Sequence, residues 1–343
     1  MDSEDLPLSI SREKPQDSTL LRRISSALVK RLLRFLNDKA TKEPEEYKKW
    51  FSEFGQFLKE GVCQDYENQS DIAKLLFFES STLESGNLCS LDEYVSRCTP
   101  EQDQIYYLVA PNRKMAEESP YFEAFKAHGR EVLFVYNAID EFVFTNIGQF
   151  NKRKIVSAES SEVDLGVDDA EKDEKKDGEK EEAEGKDGAS VKREDGTFGE
   201  PLSDDNVKQL ETWMLEVLPG KLKTVKSTKR LAGSPAIITD HESGALRRMM
   251  RMVEQQNTGT NSFADVLPPQ TMEVNPKHPI IVGLFRSISA DEKIKENTKL
   301  VVEQLYDNAL VTAGLMDDSR PMVARVNNLL EKLLRQEPSE LEK

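Results

Sequence analysis

The chain has 343 residues, with 47 Lys and Arg against 63 Asp and Glu, for a formal net charge of −16. That length accommodates two or three domains, and the acidic balance argues against nucleic acid as the main partner, because phosphate binding asks for a basic surface. No apolar run reaches the roughly 18 residues that span a bilayer, so no membrane insertion is expected, and the opening MDSEDLPL has neither a signal-peptide core nor an arginine-rich transit helix.

Leu6, Leu8 and Ile10 alternate with Ser9 and Ser11, the pattern of a half-buried strand, and a helix follows from Asp17 or Ser18. Arg12 is therefore displayed on a strand-to-helix connection, a place where binding residues collect. A strand this near Met1 has no earlier partner, so the chain is expected to begin within a domain. From Ser18 to Phe35 the stripe Leu20, Leu21, Ile24, Leu28, Leu32 and Phe35 predicts an amphipathic helix. A second helical block starts near Pro44 and carries Trp50, Phe51, Phe54, Phe57 and Leu58; a third runs from Asp71 to Phe78. These pieces read as short helices stacked between larger units.

Strand and helix then alternate. SLDEYVSR is a helix start with a capping box of Ser90 and Glu93. Strands are expected at Ile105–Ala110, Val132–Tyr136 and Lys154–Ser157, with a helix at Ser119–Ala127 capped by Ser119 with Pro120 at its first position. That order predicts a small α/β layer of parallel strands. From Asp168 to Gly196, Asp, Glu, Lys and Gly dominate, and a segment with so little apolar surface reads as a disordered acidic linker. Beyond it come a helix from Ser203 to Leu218, a hairpin of Val225–Leu231 with Ala236–Thr239, and a helix from Ser243 to Gln255. Helices at Lys293–Ala313 and Pro321–Leu334 end the chain, and two such helices without a third to close the bundle are expected to pair across a two-fold axis, the alternative being packing within one chain.

The chemistry is sparse. There is no GxxxxGK[ST] loop, no GxGxxG after a strand and no GxSxG elbow. Cys63, Cys89 and Cys98 are widely spaced and read as free or buried thiols in a reducing compartment, and His128, His241 and His278 match no zinc spacing. Arg12, with Gln16 one turn on, has the planar fork that stabilises a transferring phosphoryl group in trans, against the alternative of a structural salt bridge. In the helix from Ser243, Leu246, Met249, Met250, Met252 and Val253 sit among Arg247, Arg248 and Arg251. Flexible methionines suit a surface that accepts varied partners, or else fill a core.

LPLSISRE followed by QDS, NQSDIAKLLFFESS, SLDEYVSR with IYYLVAPNRK, and SPYFEAFKAHGREVLFVYNAIDEF resemble the middle domain of the heat shock protein 90 chaperones. TMEVNPKHPII and LVVEQLYDNALVTAGLMDDSRPMVARVNNLL resemble their C-terminal dimerisation domain. The APNRKMAEESPYFEAF version, and a C-terminus without an MEEVD tail, are most similar to the mitochondrial TRAP-type branch.

The resemblance implies an α/β (α+β) fold. Residues 1–40 would end the large middle subdomain, 41–88 form a helical connector, and 89–160 a small αβα subdomain. An acidic linker follows at 161–202, and an α+β C-terminal dimerisation domain ending in a helix pair at 203–343. It implies a molecular chaperone fragment that binds unfolded or partly folded clients and dimerises within an ATP-driven cycle; the alternative is a catalytically dead interaction subunit pairing with full-length chaperone. Arg12 and Gln16 would contact the γ-phosphate of ATP, although Lys14-Pro15 stands where the family has two apolar residues, and proline restrains the loop. ATP with Mg would be bound by an N-terminal domain outside this chain, so neither cofactor binding nor ATPase activity is expected of the chain alone. Leu246, Met249, Met250 and Met252 would touch clients. Leu300, Val301, Leu305, Ala309, Leu310, Val323, Val326, Leu329, Leu330 and Leu333 would form a homodimer. The mitochondrial matrix is the implied location, the cytoplasm the alternative.

Overall fold

A computed structural model describes residues 19–165, 201–242, 246–247, 267–288, 292–316 and 318–336. The expected strand at Leu6–Ile10, the acidic stretch Asp168–Gly196, Arg12, Gln16, Met249, Met250, Met252 and the side chain of Leu333 lie outside the described residues.

In chain order the first elements are α1 (Thr19–Lys42), α2 (Pro44–Gln64), α3 (Gln69–Ala73), β1 (Phe77–Ser80), β2 (Leu88–Ser90) and α4 (Leu91–Arg97). Then come β3 (Gln104–Val109), α5 (Arg113–Glu117), α6 (Pro120–Ala127), β4 (Leu133–Val135), α7 (Ala138–Ile147), β5 (Gln149–Phe150) and β6 (Arg153–Ser157). The last are α8 (Asp204–Val217), β7 (Leu222–Ser227), β8 (Ala236–Thr239), β9 (Gln270–Val274), α9 (Pro279–Ser287), α10 (Glu292–Thr312) and α11 (Arg320–Gln336). The mixture of helix, parallel strands and antiparallel strands is the α+β class. The chain divides into two compact units, residues 1–103 with 139–155, and residues 104–138 with 156–343.

In the first unit α1 and α2 are long, 24 and 21 residues, not the short pieces expected, whereas α3 has 5 residues. α1 buries Leu33 and Leu36 and leaves Leu28, Leu32 and Phe35 more than half exposed. Of the predicted stripe, Leu28, Leu32 and Phe35 thus lie on the outer face, while Leu21 and Ile24 are half-buried. α2 begins with Pro44 at its first turn, where the missing N–H costs nothing, and Glu45 and Glu46 suit the positive end of the helix dipole. Its core face is Tyr47, Phe51 and Val62. Phe54 and Phe57 turn outward. The Tyr47 hydroxyl donates to the Leu75 carbonyl at 2.9 Å, and the Tyr47 and Phe51 rings lie 5.5 and 5.8 Å from that of Phe77. Gly55 is required where it stands, since an added Cβ would lie 2.9 Å from the Phe51 ring.

The helix expected from Asp71 to Phe78 is corrected. α3 stops at Ala73, and Phe77–Ser80 is a strand paired antiparallel with β2, Phe78 opposite Cys89. Leu75 to Phe78 are all buried, and an unbroken apolar run carries no period to separate strand from helix. The capping box is present as expected: Ser90 Oγ accepts from Glu93 N, and Glu93 Oε2 accepts from Ser90 N at 2.8 Å. β5 and β6 form a tight hairpin through Asn151 and Lys152, both at positive φ (48° and 65°), the handedness that matches strand twist.

In the second unit β3 and β4 run parallel, Leu108 opposite Phe134, with the crossover through α5 and α6. Ser119 caps α6 and Pro120 opens it, as expected. Ser203 caps α8. The expected hairpin is corrected: β7 and β8 do not pair, because β9 lies between them, parallel to β7 and antiparallel to β8. All five residues of β9 are buried, as a central strand requires. One apolar core joins Phe122, Phe125 and Phe134 to Leu210, Ile238, Met272, Val302, Leu305 and Tyr306.

Candidate functional site

Among the described residues of the second unit, a polar arrangement gathers where α6 and the turn after β6 meet the segment from Thr228 to Glu242. Packing of α6 delivers two side chains to it. The Tyr121 hydroxyl donates to the Ile238 carbonyl. Glu123, in the first turn of α6, accepts from the backbone N–H of Ala232 at 2.9 Å and Gly233 at 3.0 Å.

The turn after β6 supplies the opposite wall. Asp240, held at positive φ (58°), accepts from Ser161 N at 2.8 Å and Ser161 Oγ at 2.7 Å. Burial pushes the Asp240 carboxyl up, but the two Ser161 donors with Lys226 and Arg230 outweigh it and leave it below its ordinary value. Arg230 donates to the Ser160 carbonyl at 2.7 Å and lies 3.3 Å from Glu273.

His241 sits at the centre. Its side chain is 2% exposed, with Nε2 3.9 Å from Glu159 Oε2. Nε2 is 3.4 Å from the Tyr121 hydroxyl, and Nδ1 is 3.0 Å from the Glu242 carbonyl. Burial depresses its pKa, with Arg247 adding to the effect, and the Glu242 and Ile238 carbonyls and Asp240 only partly restoring it. His278, the cap of α9, is also pushed down by burial. A folded-state pKa below the ordinary 6.5 means that the unfolded chain takes the proton first as pH falls. Stability from both histidines is therefore complete above about pH 6.5 and declines as pH drops toward their folded values. We expect the unfolding midpoint to fall between pH 7 and 5.5, and His241→Asn to flatten that slope; an unchanged slope would assign the dependence elsewhere.

The residues singled out from sequence are placed unevenly. Of the four expected client contacts, only Leu246 is among the described residues, half-buried beside the buried Arg247. On α10, Leu305, Ala309 and Leu310 are buried within the core of one chain, while Leu300 and Val301 are half-buried. On α11, Val323 and Leu330 are 52% and 51% exposed, with Val326 and Leu329 half-buried. Sequence reasoning gave no role to Glu123, Asp240, His241 or Arg325. Glu123 and Arg325 lie within stretches that carry the family resemblance, but a carboxylate in a helix's first turn is ordinarily a dipole partner. Among the described residues no group of three or more His, Cys, Asp and Glu is placed to hold a metal, and no helix is long and apolar enough to cross a membrane.

The family model "Hsp90 protein" matches residues 1–343, the entire chain. The chain belongs to the Hsp90 family. It is 43% identical over 337 residues to the TNF receptor-associated protein 1 homolog, mitochondrial, of Dictyostelium discoideum, covering 97% of this chain and 43% of that protein. It is 40% identical over 337 residues to the heat shock protein 75 kDa, mitochondrial, of Bos taurus, covering 97% of this chain and 44% of that protein. Against the chaperone protein HtpG of Desulfitobacterium hafniense (strain Y51) it is 37% identical over 336 residues, 98% of this chain and 49% of that protein. The chain thus spans somewhat under half the length of these Hsp90-family relatives.

Proposed function

We propose that this chain is the client-binding and dimerising part of an Hsp90-family chaperone that acts in an ATP-driven cycle. The observation that carries the reading is the family match over all 343 residues, together with relatives named as chaperones and heat shock proteins. Two of those relatives are named mitochondrial, which supports a mitochondrial matrix location.

In this reading Leu246, Met249, Met250 and Met252 give flexible apolar contact to unfolded or partly folded clients. Arg12 and Gln16 reach the γ-phosphate of an ATP, with its Mg, that is held outside this chain; the arginine fork suits that charge. Two copies pair through the helix hairpin of α10 and α11. Leu305, Ala309 and Leu310 already pack inside the protomer, so the exposed Val323 and Leu330 and the half-buried Val326, Leu329, Leu300 and Val301, together with Leu333, form the shared face. Burying one such Val or Leu side chain is worth about 1.5–3 kcal/mol, so a handful holds a dimer at micromolar concentration.

The test combines two measurements on purified protein. Met249→Asp with Met250→Asp is expected to weaken suppression of client aggregation severalfold, and an unchanged suppression would remove these residues from the site. Sedimentation should give a dimer at micromolar concentration that Val323→Asp with Leu330→Asp converts to monomer. A wild-type chain that is monomeric throughout would end the dimer proposal.

A further inference from the structure

The loop Leu231–Pro235 is organised in a way that the chaperone reading does not use. Three consecutive backbone N–H groups, of Ala232 (2.9 Å), Gly233 (3.0 Å) and Ser234 (3.4 Å), converge on one atom, Glu123 Oε2. The Ser234 hydroxyl donates to the other oxygen, Oε1, at 2.6 Å. Four donors from three adjacent residues thus meet a single carboxylate, the arrangement by which successive N–H groups make an anion-binding concavity. The residues that meet are 109 to 111 positions apart, so chain proximity does not produce the contact.

The concavity is built from behind by a different residue. Asn275, only 3% exposed, donates through Nδ2 to the carbonyls of Leu231 (3.1 Å), Ala232 (3.4 Å) and Ser234 (3.4 Å). Its own backbone N–H donates to the Pro235 carbonyl at 2.9 Å. With the carbonyls of Leu231, Ala232 and Ser234 turned to Asn275, the N–H groups of Ala232, Gly233 and Ser234 are turned to Glu123. Ala232 and Gly233 are exposed, so the site opens to solvent at the rim. Charged acceptors make the shorter and stronger hydrogen bonds, so a carboxylate fits these donors better than an amide or hydroxyl does.

We infer that Leu231–Pro235 is a carboxylate receptor, filled in this chain by Glu123, and that the joint between α6 and the sheet of β7, β8 and β9 is latched through that one replaceable group. Any carboxylate that reaches the rim competes with Glu123 for the same donors. This inference is independent of client binding and of dimerisation.

The test is hydrogen exchange at Ala232, Gly233 and Ser234 in the full chain. Glu123→Ala is expected to speed exchange at these amides roughly tenfold, with the β9 amides unchanged. Sodium acetate at tens to hundreds of millimolar should restore protection in the variant, while sodium chloride at matched ionic strength should not. Acceleration that acetate fails to reverse would mean that Glu123 acts through packing, and no acceleration would mean that its hydrogen bonds hold nothing; either result overturns the inference. Glu123→Gln, which keeps the side-chain volume, covers the case in which the alanine variant does not fold. It should exchange measurably faster than wild type at the same amides, and equal rates would refute a role for the charge.

Discussion

Replacing Lys59 by methionine is expected to remove about 3–5 kcal/mol from the stability of the first unit. Lys59 on α2 reaches Asp140 on α7 at 2.5 Å, with side chains only 14% and 5% exposed. Its ammonium also lies 5.8 Å from the Phe51 ring centroid and 5.5 Å from that of Phe78, which packs at 4.7 Å on Phe144. Methionine preserves most of the stem that lines this aromatic pocket, so little packing is lost. The cost comes from taking the ammonium away from a carboxylate that is only 5% exposed. Asp140→Leu should cost less, because the aromatic faces still attract the ammonium. Removing both charges, in Lys59→Met with Asp140→Leu, should recover much of the loss, since a buried ion pair seldom outperforms well-packed apolar residues. Urea unfolding of the four proteins decides the matter. If the double variant falls by the sum of the single losses, the two groups are not coupled and the account is wrong.

A free energy of this size is large against the roughly 5–15 kcal/mol by which domains are stable, yet the pair is invisible to a reader of the sequence. Lys59 and Asp140 stand 81 positions apart, and each sits in a stretch with other charges. What the sequence did disclose is local. The caps at Ser90, Ser119 and Ser203 were legible because a cap is set by one side chain and the N–H groups two or three residues on. β3, β4 and β6 were legible from β-branched and aromatic runs bounded by turn residues. The Asn151-Lys152 hairpin was missed because no glycine marks its positive-φ positions. β7 and β8 were read as neighbours because both are short and close in sequence, whereas β9, more than 30 residues past β8, takes the central place. Strand order is a tertiary property, and no pairwise pattern in β7 or β8 records it.

The same division applies to the polar site. The long stretches that resemble the Hsp90 family were legible as words, and the family match extends over all of them. The contacts of Glu123, Asp240 and His241 were not, even though Glu123 stands within one of those stretches, because each meets a segment that arrives from elsewhere in the chain. An ordinary helix-start glutamate becomes a four-donor acceptor only once Asn275 has turned the Leu231–Pro235 loop toward it.

Arg325→Leu is expected to release α11 from α10 at a loss of about 3 kcal/mol of docking free energy. Arg325 is 16% exposed and bridges two acids, its Nε 3.1 Å from Glu303 Oε2 and its Nη1 2.5 Å from Asp307 Oδ2. Glu303 and Asp307 are four residues apart on α10, so without the guanidinium they repel each other across one helical turn. Lys332 on α11 also donates to Asn297 Oδ1 at 2.8 Å, while Val323 and Leu330 are about half exposed. Leucine replaces the stem's packing but leaves Asp307, 11% exposed, facing an apolar group. The planar fork matters as much as the charge, because lysine offers a single point charge that cannot serve both carboxylates at these distances. Arg325→Lys should therefore recover only part of the loss. Hydrogen exchange across Arg320–Gln336 reads the effect directly, with α10 amides as the internal control. If the shared face of two copies lies on α11, the same 3 kcal/mol weakens dimerisation by roughly a hundredfold. Protection of α11 that survives Arg325→Leu would show that apolar contact alone docks the helix. Lost α11 protection with an intact dimer would instead place the pairing surface elsewhere.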